Sequence, residues 1–311
     1  MVSGALLIDK PIGVTSSGVV TQLKWAMQNN DYVPKGFRIG HGGTLDPFAT
    51  GVLVVLFGEG TKLADAYLHS VKAYDGLIQL GAQTDTGDPT GSIIEEKSAP
   101  LLIADQWNDL AQTFVTMDYL QVPPMYSAKK KDGVALYTLA RAGKTIEREA
   151  ILKKISKFEI QLETESSLRF EAHCESGTYI RVLAEDLAKR AGTLAHLKSL
   201  RRIRSSDFSL QDCASLAATL SHFNEKKPLG ELPSFRELNK LASHLPQIEL
   251  GELQALRLRQ GVKAEAETQS SLLLEINCQS RYALGKKEGQ AVALFEKESD
   301  FKRFRLQRVF N

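Results

Sequence analysis

Between Ile39 and Leu53 the chain places four glycines, one histidine and one aspartate in a loop that runs into an apolar stretch, residues 52–57. The aspartate, Asp46, precedes Pro47. That ring fixes its own φ and biases the residue before it towards an extended backbone, so the carboxylate is aimed by the chain. Gly40, Gly42, Gly43 and Gly51 permit φ > 0 or the close approach of another molecule. An ionised carboxylate held in this way can act as a nucleophile or as a base. Glycine spacing alone also fits a plain turn, and a histidine in such a loop by default braces it or faces solvent. Neither phosphate-loop pattern is met: no Lys-Ser/Thr pair follows, and the three-glycine dinucleotide fingerprint is missing. A glycoside hydrolase would pair two carboxylates, and the loop holds one.

Elements on both sides must position this loop. Ahead of it, residues 5–8 read as a buried strand. Pro11 and Gly13 then make a turn, and Thr15 or Ser16 can cap a helix with Val19, Val20, Leu23 and Met27 on its apolar stripe. Behind it, residues 52–57 read as a strand, 61–68 as helical, and 71–80 as a strand carrying Tyr74, followed by a polar loop over 81–88. A helix is expected over 104–114, a proline-stiffened entry over 122–133 leading to Lys129, Lys130 and Lys131, and a short helix over 134–141. Residues 151–162 and 168–174 alternate like paired strands. Residues 180–190 read as a helix with Val182, Leu183, Leu187 and Ala188 on its apolar side and Arg181 in its first turn. A helix over 211–220, a polar connector over 224–231 and strands over 271–276, 281–284, 292–295 and 304–309 complete the pattern. Long strands separated by helices, without regular strand–helix units, predict an α+β fold on a mixed, mainly antiparallel sheet.

With 311 residues, 43% hydrophobic and 24% charged, the chain has material for one large domain and a small one. No apolar run approaches the roughly 20 residues of a membrane span, and Met1-Val2-Ser3-Gly4 lacks the charged start of a signal peptide. Cys174, Cys213 and Cys278 form no Cys-x-x-Cys pair, so no metal site is expected. Their odd number argues against a disulfide framework, and a cytoplasmic location is expected. The net charge of +2 conceals blocks of opposite sign. Residues 75–120 carry eight acidic groups and one lysine; residues 125–154 carry eight basic and three acidic, and residues 181–204 seven basic and two acidic. Any one run could be a solvated face, but two basic blocks flanking the candidate site point to RNA.

The run His41-Gly42-Gly43-Thr44-Leu45-Asp46-Pro47, followed by Ala49-Thr50-Gly51, resembles the central motif of the tRNA pseudouridine synthase B family, which isomerises the T-loop uridine of tRNA (position 55 in tRNA numbering). Asp9-Lys10-Pro11 with Gly13, Thr15 and Ser16 is similar to the family's opening motif, and Lys72-Ala73-Tyr74 leading to Thr84-Asp85-Thr86 to a second. Pro124-Met125-Tyr126-Ser127-Ala128, Ser176-Gly177-Thr178-Tyr179-Ile180-Arg181 and Leu200-Arg201-Arg202 are similar to further family segments, so the resemblance covers roughly residues 5–208. Lys129 departs from it slightly, standing where an aliphatic residue is common.

The resemblance implies Asp46 as catalytic carboxylate, Arg181 as its ionic partner and Tyr74 as the active-site tyrosine. Leu200 would meet the base, His41 would fill the place vacated by flipped bases, and Tyr179, Lys130 and Arg202 would bind RNA; the opening segment would support the catalytic loop, with Lys10 adding an RNA contact. It further implies a catalytic domain over 1–244 with a thumb insertion at about 123–150, and a small β-rich PUA-like RNA-binding domain over 245–311. The ends of that small domain match loosely, at residues 256–261 and 305–310. Isomerising uridine breaks C1′–N1 and joins C5 to C1′ with no net loss of atoms or electrons, so no cofactor is expected. The expected partner is the T arm of tRNA, bound by a monomer without an obligate protein partner or membrane. Two other readings stand beside this one. A guide-dependent relative in ribonucleoprotein particles shares the motifs, but the basic insertion favours a stand-alone enzyme. A non-catalytic tRNA-binding or folding module would not need Asp46, Tyr74 and Arg181 together.

Overall fold

The structure, a computed structural model, describes residues 2–127, 129–131, 133–261, 280–297 and 304–310, with the backbone alone for Lys130, Lys131, Ala135 and Arg141. Two compact units divide the chain: Met1–Leu45, Val52–Leu68 and Ser206–Asn311 form one, Asp46–Gly51 and His69–Ser205 the other. The strand Thr50–Phe57 begins in the second unit and continues in the first.

The second unit is built on four antiparallel strands in the order Ile155–Thr164, Ser167–Cys174, Lys72–Leu80, Ala195–Ser205. Thr50 and Gly51 add a parallel pairing to Arg201 and Arg202. Alternation along Lys72–Leu80 puts Tyr74, Ile78 and Leu80 in the core, while Asp75, Leu77 and Gln79 stay half-exposed. Helix Ala104–Thr116 packs Trp107, Ala111 and Phe114 inward, with Phe114 edge-on to Phe158 at 5.9 Å. Asn108 fastens it to the edge strand, giving its amide N–H to the Ile160 carbonyl at 2.7 Å and accepting the Ile160 N–H at 2.8 Å. Helix Ile180–Arg190 follows the expected bounds, burying Ile180, Leu183, Ala184, Leu187 and Ala188 at helical spacing. A two-stranded ribbon, Tyr119–Gln121 against Ile151–Lys153, brackets the segment between them. Within that segment, strands Lys130–Lys131 and Val134–Ala135 pair around Gly133 at φ +81°, so the helix expected from 134 starts at Leu136.

In the first unit, strand Gly4–Lys10 lies beside Thr50–Phe57, with Phe235–Glu237 antiparallel and Ala214–Ser215 parallel to it. Both central strands are covered on two faces, which is why each reads as a continuous apolar run. Leu6, Ile8, Leu53, Val55 and Phe57 meet the Ser16–Asn29 helix through Val19, Leu23 and Met27. Ala5, Leu7, Val54 and Leu56 face a second cluster with Tyr67, Phe208, Leu284, Leu294 and Phe310. The chain after Pro246 forms a β-rich sheet, Gln247–Glu249, Tyr282–Lys287, Gln290–Lys297 and Phe304–Val309, with helix Glu252–Arg259. The strand expected over 271–276 lies outside the described residues. The helix expected over 211–220 runs instead from Leu216 to Asn224. Ala214 and Ser215 are drawn into pairing with Ile8 and Asp9, and the Ser215 hydroxyl then caps the helix by accepting the Ala218 N–H at 3.1 Å. The α+β class with a mixed, mainly antiparallel sheet is therefore observed.

Candidate active site

The glycine loop is fixed first by short-range geometry. Thr15 caps the first helix, accepting the Gly18 N–H at 2.9 Å, which releases Ser16 for another task. The buried Ser16 hydroxyl donates to the Leu45 carbonyl at 3.1 Å and accepts the Leu45 N–H at 2.8 Å. Both backbone groups of the residue before Asp46 are thus held. The Ala49 N–H then donates to the Asp46 carbonyl at 3.1 Å, closing a tight turn with Pro47 at its second position. Gly51 sits at φ +104°, and a Cβ there would lie 2.2 Å from the Arg202 carbonyl, so strand and loop can join only through glycine. Gly40, by contrast, has open space around it and no positive φ.

Arg181 projects from the first turn of the Ile180–Arg190 helix and is 4% exposed, while the Asp46 side chain is 36% exposed. The Arg181 Nε lies 3.0 Å from Asp46 Oδ2. Its other nitrogens are committed: Nη1 donates to the Thr86 carbonyl at 2.7 Å and Nη2 to the Tyr126 carbonyl at 2.8 Å. The buried Asp88 carboxylate stands 3.9 Å from Nη1. Asp88 is itself held by the Thr86 hydroxyl at 2.8 Å and the Thr90 N–H at 2.9 Å. A planar guanidinium anchored on three sides presents one N–H to Asp46 and leaves that carboxylate facing outward.

Tyr74 and Arg202 are directly opposite on neighbouring strands, and both are buried. Burial pushes the Tyr74 phenol up. Arg202, hydrogen-bonded to it, opposes the shift, and the nearby Asp46 carboxylate adds to it. Leu200 pairs with Gly76 on the same two strands and is 7% exposed. Lys72 is buried two residues before Tyr74, with Nζ donating to the Ser70 carbonyl and hydroxyl at 2.7 and 2.9 Å. Burial, aided by Arg202, pushes its amine down to about 7. Burial likewise pushes the Cys174 thiol up to about 11.

Of the residues expected from sequence, Asp46, Tyr74, Arg181, Leu200 and Arg202 share the second unit, as does Tyr179, half-exposed at the entry to the Arg181 helix. Arg202 is 2% exposed and hydrogen-bonded to Tyr74, whereas Arg204 is exposed. Lys10 is fully buried, its ammonium donating to the Pro11 carbonyl at 2.9 Å and the Val14 carbonyl at 2.6 Å, and so supports the turn that places Ser16. His41 is half-exposed at the end of strand Ile39–His41 in the first unit. The Lys130 side chain lies outside what the structure describes. Sequence reasoning missed Asp88 and Gln121, whose signals were weak: an aspartate in a polar loop and a glutamine before two prolines. Lys72 stood in a matched motif, but its burial was not announced. Among the described residues no group of three His, Cys, Asp or Glu could hold a metal, and no helix is long and apolar enough to cross a membrane.

This mixed, mainly antiparallel sheet is a fold already seen in solved structures. A crystal structure of a Cbf5–Nop10–Gar1 complex is similar to 99% of this chain and 85% of the solved chain, with a TM-score of 0.73 at 21% identity. An archaeal box H/ACA sRNP Nop10–Cbf5 complex gives a TM-score of 0.68 at 20% identity, over 99% of this chain and 86% of the solved one. The chain itself belongs to the TruB family of pseudouridylate synthases. The family's profile, "TruB family pseudouridylate synthase (N terminal domain)", matches residues 31–180. The tRNA pseudouridine synthase B of Aromatoleum aromaticum is 39% identical over 93% of this chain and 90% of that protein. The one from Geobacter sulfurreducens is 36% identical over 99% of both. That of Psychrobacter cryohalolentis is 43% identical over 70% of this chain, and the match spans 59% of that longer protein.

Proposed function

We propose that this chain converts the T-loop uridine of tRNA, position 55, to pseudouridine, acting in the cytoplasm as a monomer without guide RNA or protein partner. The observation that carries this reading is the Asp46–Arg181 pair at 3.0 Å, with its arginine buried and its carboxylate accessible. Asp46 serves as the nucleophile or base that opens the C1′–N1 bond, and Arg181 holds it ionised and in one orientation. The uracil, once detached, turns so that C5 faces C1′. Leu200 and Tyr74 keep it against an apolar surface while the C5–C1′ bond forms and the C5 proton leaves. Tyr74 enters as a phenol, not a phenolate, because burial favours the neutral form. It therefore stacks on the base, and its oxygen relays the proton under the influence of Arg202.

Uridine must leave the RNA stack before any of this, at a cost of a few kcal/mol. His41 takes the vacated place in the stack, and Tyr179 contacts the extruded nucleotide. The insertion at about 123–150, with Lys130 among its basic residues, closes on phosphates, and residues 245–311 form a PUA-like segment that holds the RNA further out.

A guide-dependent role is the second reading, favoured by the fold shared with Cbf5 in complexes with Nop10. One experiment separates the two. Purified chain is mixed with a T-arm stem-loop, and pseudouridine is mapped after a single turnover. Conversion at the T-loop uridine by the chain alone is expected. Conversion only after a guide RNA is added would select the second reading. Binding without conversion under either condition would mark a tRNA-folding module.

A further inference from the structure

Gln121 ends the strand Tyr119–Gln121, immediately before the insertion, and is 1% exposed. Its amide grips both peptide groups of a single residue. The Tyr179 N–H donates to Gln121 Oε1 at 2.8 Å, and Gln121 Nε2 donates to the Tyr179 carbonyl at 3.0 Å. Nε2 also donates to the Tyr119 hydroxyl at 2.9 Å, and that hydroxyl donates to Asp186 Oδ2 at 2.8 Å. These partners allow the amide one orientation, since a half-turn would set carbonyl against carbonyl and N–H against N–H.

Tyr179 is the N-cap of the Ile180–Arg190 helix, which has no side-chain cap of its own, and Asp186 lies further along the same helix. The strand therefore holds the helix on both sides of Arg181. The same strand pairs with Ile151–Lys153, so it bounds the insertion, and from within the insertion the Tyr126 carbonyl accepts from Arg181 Nη2.

We propose that Gln121 is a positioning residue for the isomerisation: it sets how the Ile180–Arg190 helix presents Arg181 to Asp46. The inference rests on the assignment of Asp46 and Arg181 made above. It assigns Gln121 no contact with RNA.

A double-mutant cycle tests it. Wild type, Gln121→Met, Arg181→Lys and the double variant are compared in single-turnover conversion of a T-arm stem-loop. Affinity for the same stem-loop and the thermal unfolding midpoint are followed separately. Gln121→Met is expected to slow conversion by about ten- to a hundredfold with Arg181 in place, and by no more than about twofold beside Arg181→Lys. Stem-loop affinity should stay within about threefold, because phosphate contacts lie elsewhere. If Gln121→Met does not fold, Tyr119→Phe takes its place in the cycle, with a smaller loss of the same pattern expected. Losses that simply add, or that follow the folded fraction, would overturn the inference while leaving the site assignment standing. An Arg181→Lys variant as fast as wild type would overturn the site assignment itself, and the positioning role with it.

Discussion

At Asp46 and Arg181 charge and shape can be separated by substitution. Asp46→Asn keeps the side chain's outline and removes its charge. If Asp46 only braced the turn before Ala49, the variant would lose stability and keep much of its activity. As nucleophile or base, its loss should lower single-turnover conversion by at least about three orders of magnitude while the folded protein still binds a T-arm stem-loop. Rapid conversion by the folded variant would refute the assignment. Lys72 offers a prediction of another kind. Its folded-state value is lowered from 10.5 to about 7, chiefly by burial. Between those values the unfolded chain binds more protons, so this group's contribution to stability rises with pH across that window, and its penalty is complete below about 7. Lys72→Met should therefore raise the unfolding midpoint relative to wild type most at pH 6–7, with the gap narrowing towards pH 9. Parallel curves across that range would show that Lys72 stays charged in the fold.

The insertion carries its prediction in its charges. Lys129 and Lys144 are both exposed, and replacing each with glutamine should weaken tRNA binding for any sequence. The dependence of log K on log salt should flatten by roughly 0.7–0.9 for each phosphate that is no longer neutralised. A slope equal to wild type would make these lysines a solvated face. What could be read from sequence at this scale followed a physical division. The Ile180–Arg190 helix was legible to the residue because its apolar spacing is local. The Leu216–Asn224 helix was misplaced because Ala214 and Ser215 answer to a strand more than two hundred residues earlier. Asp46, Tyr74 and Arg181 stood out because motifs carry them. The burial of Lys10 and Arg202 could not be read from sequence, since a charged side chain is expected outside and nothing in its neighbours announces burial. Gln121 was invisible, because its partner Tyr179 is remote in sequence and an amide has no charge to draw the eye.

The molecule as a whole divides its burden unevenly. Leu284, Leu294 and Phe310 complete the core that Ala5, Leu7, Val54, Leu56 and Tyr67 begin, and the Lys62 ammonium donates to the Val309 carbonyl at 2.6 Å. Ending the chain at residue 244 removes several large apolar side chains from that core. Each such loss costs about 2–5 kcal/mol, against a total stability of about 5–15 kcal/mol for a domain. The shortened chain should show no cooperative thermal transition and should aggregate on sizing. A soluble, cooperatively melting fragment would show that residues 245–311 are dispensable for folding. The strand order of the second unit has a further consequence, on the ribosome. Lys72–Leu80, which carries Tyr74, pairs with Ser167–Cys174 on one side and Ala195–Ser205 on the other, so it emerges long before either neighbour is synthesised. At about 5–20 residues per second the wait is on the order of ten seconds. For that interval the nascent chain displays Asp46 with no guanidinium to hold it, and a bare strand edge open to chaperones.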